Sequence, residues 1–84
     1  MTARVTIEAA SKAEAELLVP HLPVRASAAS WRGYGVIRLG PLGPHERRAV
    51  IEAVSRAFGE LGLQWARIRH GDEEHVLRAG LRTG

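Results

Sequence analysis

Two groups of residues in this sequence are of types that can do chemistry. The first is His70-Gly71-Asp72-Glu73-Glu74-His75, where two imidazoles and three carboxylates fall around one glycine turn and are donors of the kinds that hold divalent metals. None of the stronger metal-ligand spacings accompanies it. A solvated hairpin tip, with Arg69 and Glu74 as a cross-strand pair, accounts for the same residues, so neither a metal nor any other cofactor is expected. The second group is a set of guanidinium groups and flat rings: Arg25, Trp31, Arg32, Tyr34, Arg38, Trp65, Arg67 and Arg69. Rings of this kind stack on bases or fill protein interfaces, and arginines neutralise phosphates or carboxylates. The sequence lacks a Gly-x-Ser-x-Gly elbow, a phosphate-cradling glycine loop ending in Lys-Ser or Lys-Thr, and a dinucleotide fingerprint. Gly33-x-Gly35 has no third glycine and precedes a strand, and His21 and His45 read as surface residues. No enzymatic activity is expected.

Composition narrows the setting of these groups. An 84-residue chain with 45% apolar and 25% charged residues suits one small globular domain spanning residues 1–84. With no cysteine there is no disulfide framework, thiolate site or cysteine nucleophile, which fits a reducing, cytoplasmic setting. The N-terminal residues alternate, unlike the continuous apolar run of a signal peptide, and no apolar segment is long enough to span a bilayer. The formal charge of +3 is a mild bias toward anionic partners.

The elements that must position the arginines and rings follow from periodicity. Residues 4 to 9 alternate with Val5, Ile7 and Ala9 on one side, a strand buried on one face. Ser11 and Glu14 form a Ser-x-x-Glu capping box, with the carboxylate reaching back to the amide of the cap residue. Ala15, Leu18, Val19 and Leu22 lie at helical spacing, and Pro20 with Pro23 ends the helix near His21. Val24 to Trp31 alternates again with small inward residues, an expected edge strand, and Gly33 turns the chain into a strand over Tyr34 to Leu39. Gly40 to Pro44 reads as a rigid loop, with Pro44 opening a second helix. Val50, Ile51, Val54, Ala57, Phe58 and Leu61 form its apolar stripe and Gly62 stops it. Trp65 to His70 is a strand, Gly71-Asp72 a tight turn, and Glu74 to Arg78 can return as a short extra strand. Residues 80–84 read as a frayed tail.

Strand, helix, strand, strand, helix, strand predicts an α+β, ferredoxin-like βαββαβ fold, an antiparallel sheet with both helices on one face. Two helices cover one side only, so residues out of phase with the core face solvent or a partner. These are Arg4, Thr6 and Glu8; Arg25, Ser27, Ala29 and Trp31; Tyr34, Val36 and Arg38; and Trp65, Arg67 and Arg69. Both tryptophans and the only tyrosine fall there, and five arginines oppose one glutamate. The helices mix the two signs, so the basic excess collects on the open sheet.

Arg32-Gly33-Tyr34-Gly35, followed by Ile37, resembles the octapeptide on the third strand of the RNA-recognition motif, a ferredoxin-like fold that presents aromatics on its sheet face. That resemblance implies Arg32 as a phosphate contact and Tyr34 as an exposed ring. The family carries further aromatics where this chain has Val36, Leu39 and Thr6, and a longer link between its first and third strands, so the likeness covers one strand and its turn. Val5 to Glu16 and Arg48 to Val54 are similar to the small dimerising subunit of the KEOPS tRNA-modification complex, a pattern that any capped helix after a strand largely produces. The expected function is a small non-enzymatic interaction module that self-associates as a homodimer, or joins a larger assembly, through the Arg/aromatic face. The alternative is single-stranded RNA or DNA on the same face.

Overall fold

A computed structural model describes residues 3–79 and contains five strands and two helices. The expected tail at 80–84 lies outside the described residues. Strand β1 (Ala3–Ala9) leads into α1 (Lys12–Leu18) and a short 3₁₀ turn (Val19–His21). Then come β2 (Ala28–Trp31), β3 (Tyr34–Leu42), α2 (Pro44–Leu61), β4 (Trp65–His70) and β5 (Glu73–Arg78). The sheet is antiparallel throughout, with order β2-β3-β1-β4-β5. The extra C-terminal strand is present outside β4, so this order is not simply ferredoxin-like. Among the described residues no helix is long and apolar enough to cross a membrane.

Registry follows the alternation. Ile7 sits between Ile37 and Ile68, and Ala9 between Gly35 and Ala66. These residues join Ala15 and Leu18 of α1 and Val50, Val54 and Ala57 of α2 in one apolar cluster, which places both helices on the same side of the sheet. Ser11 caps α1, its hydroxyl accepting from the Glu14 amide at 3.1 Å. The return half of the capping box is replaced by a long-range bond: the Glu14 carboxylate accepts from the Gln64 amide at 3.0 Å. That bond ties the start of α1 to the chain entering β4. Removing the hydroxyl by Ser11→Ala is expected to cost about 1 kcal/mol of stability, read as a lowered urea midpoint with unchanged slope.

Two segments depart from the expected pattern. The region Gly40 to Pro44 is not a loop throughout, because β3 continues to Leu42. The pairing of β1 with β3 jumps from Val5↔Leu39 to Arg4↔Pro41, leaving Gly40 as the extra residue of a bulge. One inserted residue resets the alternation, and Leu42 returns to the core alongside Leu39. The expected strand Val24–Trp31 shortens to Ala28–Trp31. Carrying its register backward would set residues 24–27 against 38–41, where β3 bulges and Pro41 has no amide to donate. Pro44 opens α2 as expected, and Gly62 ends it in the left-handed conformation, φ +66°.

Candidate functional site

On the side away from the helices the strand pairings align residues in rows. One row runs Ala29, Val36, Glu8, Arg67, Val76, and the next runs Arg38, Thr6, Arg69, Glu74. At one end Trp31 pairs with Tyr34 on neighbouring strands, and Trp65 pairs with Arg78. Tyr34 and Trp65 approach across the gap where β1 has ended, with ring centroids 6.1 Å apart and planes tilted by 55°. None of the three rings belongs to the helix-side cluster. Trp31 is the most open of them, at 48% exposed, whereas Tyr34 and Trp65 are half-buried.

The turn that delivers the first two rings explains the glycine beside them. Arg32 and Gly33 form a two-residue hairpin with φ of +50° and +89°, the pair of positive values that a type I′ turn requires. Arginine accepts this geometry less readily than asparagine or glycine. Its guanidinium lies 5.3 Å from the centre of the Trp31 ring, so the turn sets a cation on the outermost aromatic. The Arg67 guanidinium makes a similar approach to Trp65, at 6.0 Å.

The centre of the face is not the open cationic surface that alternation implies. Glu8 is 5% exposed and Val36 is 3% exposed, both on the open side of the sheet. Arg67 donates from Nε to Glu8 and also makes an ion pair with it through Nη2, while Arg69 Nη1 lies 3.9 Å from the other oxygen. Arg69 also lies 3.9 Å from Glu74, the expected cross-strand pair. Buried carboxylates need such partners, and Glu8 obtains them from Arg67 and Arg69 on the distant strand β4. Arg67 and Arg69 are thus already engaged. Among the described residues Arg4, Arg38 and Arg78 make no ion pair.

The residues singled out from sequence therefore divide. Trp31, Arg32, Tyr34, Trp65 and Arg67 converge at one end of the sheet, and Arg38 and Arg69 share the next row beyond Glu8. Arg25 is exposed but precedes β2 in irregular chain, so the expected strand does not carry it onto the sheet. Val76 and Arg78 were missed. Together with Tyr34, Gln64, Trp65 and Arg67 they line an open groove of about 560 Å³. The signal for them was available in the Arg69/Glu74 pairing, because counting outward from it sets Val76 against Arg67 and Arg78 against Trp65. His70, Glu73 and His75 lie on the opposite, helix-bearing side of the same hairpin.

No protein-family model, curated protein or solved structure matches the chain.

Proposed function

We propose that the chain is a small non-enzymatic interaction module whose open sheet face binds single-stranded nucleic acid. The scaffold is read as a ferredoxin-like core, β4-β1-β3-β2, with β5 appended. The observation that carries the reading is the row Trp31, Tyr34, Trp65, bordered by Arg32 and Arg78, which have no carboxylate partner among the described residues. Base stacking on such rings contributes about 1 to 3 kcal/mol per base, and the neighbouring cations suit a flexible phosphate backbone. Charge disfavours laying one copy face to face on another. The strands present Arg4, Arg38, Arg67, Arg69 and Arg78 against Glu8 and Glu74 alone, so two such faces would repel. The half-burial of Tyr34 and Trp65 also lessens the apolar pressure for a second subunit.

A homodimer or larger protein assembly is the second reading, favoured by exposed Val76 and by β5 standing at the outer edge of the sheet. Titration of labelled single-stranded RNA and DNA ten-mers, followed by anisotropy through a salt series, tests the first. Binding is expected to weaken with rising salt, with a slope of about −0.7 per phosphate neutralised. Tyr34→Ala or Trp65→Ala is expected to weaken it by about fivefold or more, and Arg38→Ala to flatten the salt slope. Absence of binding at low salt would reject it. A dimer in light scattering that Trp31→Ala dissociates would then support the second.

A further inference from the structure

The hairpin tip that reads from sequence as merely solvated has a different character on its inner side. His70 and Glu73 are directly paired across the two-residue turn, and His75 follows two positions on, so all three side chains leave the same face of β4 and β5. Gly71, at the first turn position, has φ +57°, which lets the strands close this tightly. The imidazoles of His70 and His75 stack with centroids 5.4 Å apart. One donor atom from each of His70, Glu73 and His75 lies within 4.8 Å of the other two.

His70 separates this cluster from a chance surface grouping. Its side chain is only 10% exposed, yet among the described residues its Nε2 has no hydrogen-bond partner, the Glu73 carboxylate being 3.9 Å away. An unsatisfied buried nitrogen is unfavourable, and an ion bound to it would supply the missing partner. The cluster opens onto a groove of about 510 Å³ between the hairpin and the first turns of α2, lined also by Arg47, Arg48, Ile51 and Glu52.

We propose that His70, Glu73 and His75 form a binding site for a divalent transition metal of the zinc type. Two imidazoles and one carboxylate favour borderline ions over magnesium or calcium, which prefer all-oxygen shells. Arg47 and Arg48 on the groove wall act against a weakly held hard cation, and they favour a polar or anionic fourth ligand. Three protein ligands with solvent access leave such a fourth position open. Tetrahedral zinc draws its ligand atoms to about 3.4 Å from one another. Glu73 and His75 are exposed and can swing inward to a fixed His70.

Calorimetric titration of the intact chain with Zn²⁺ in a non-chelating buffer, alongside imidazole NMR of the four histidines, tests this site. The expected result is one ion per chain, displacement of the His70 and His75 resonances with those of His21 and His45 unmoved, and no response to Mg²⁺. Glu73→Gln and His75→Ala, both at exposed positions, are each expected to weaken Zn²⁺ binding by about tenfold or more while leaving the far-ultraviolet spectrum unchanged. Affinity unaltered in both variants, perturbation confined to His21 or His45, or no uptake at 100-fold excess over protein would each overturn the proposal.

Discussion

Gly35→Ala is expected to destabilise the protein by about 3 kcal/mol, at the upper end for overpacking a core. A Cβ on Gly35 would stand 2.3 Å from the Ser11 carbonyl oxygen, 2.6 Å from Ala15 Cβ and 2.8 Å from the Ser11 carbonyl carbon. Two of those atoms are backbone of the residue that caps α1, so no rotamer change relieves the clash. Either α1 lifts from β3 or β3 shifts against β1, and both routes open the cluster around Ala9, Ala15 and Ile37. For a domain of this size the loss corresponds to a fall in melting temperature of about 15 °C. Gly59→Ala is the matched control. It lies inside α2 with nothing within 4 Å of the added carbon, so the same substitution is expected to stabilise by about 0.5 to 1 kcal/mol through helix propensity. Thermal unfolding of the two variants should move in opposite directions. Tolerance of alanine at 35 would mean that α1 does not cross β3 as closely as described.

The second large effect is expected at Glu8. Glu8→Gln keeps the shape of the side chain but removes the charge that Arg67 and Arg69 share, with an expected loss of about 1 to 3 kcal/mol. The loss falls below that for breaking a fully buried pair because both guanidinium groups reach solvent. Their side chains are 33% and 55% exposed. The same substitution removes one negative charge from the sheet face, so affinity for a single-stranded oligonucleotide is expected to rise as stability falls. Opposed movement of the two readouts distinguishes an electrostatic clamp from general loosening, which would lower both. A double-mutant cycle with Arg67→Ala measures the pair itself, and a coupling below about 0.5 kcal/mol would remove the clamp.

These two residues mark the boundary of what local pattern could disclose. Alternation places Ile7, Ile37 and Ile68 inward and Trp31, Tyr34 and Trp65 outward, because side-chain direction in a strand depends on position alone. The capping hydroxyl of Ser11, the proline opening α2 and the glycine ending it are likewise local signals. Gly35 reads as one of two flexible residues flanking a tyrosine, yet only its partner Gly33 serves a turn. The role of Gly35 is to admit a helix, and which helix crosses there depends on tertiary packing. The late start of β2 depends on Pro41 and a bulge in another strand. Glu8 counts as a lone carboxylate among arginines until β4 is set beside β1, and then it becomes the residue that holds two of them. The residues of the His70–His75 turn were legible, and what was not is that His70, Glu73 and His75 face the first turns of α2, because that depends on where the helix packs.

The order of the strands has a consequence for how the molecule is made. The middle strand of the sheet is made before both of its partners, and Val5 must find Leu39 on one side and His70 on the other. As the polypeptide leaves the ribosome, β1 therefore keeps one edge unsatisfied until β3 emerges and the other until β4 follows, with α1 and α2 already able to coil. Closure is set by these distant partners, which slows folding and holds it back until β4 has been made.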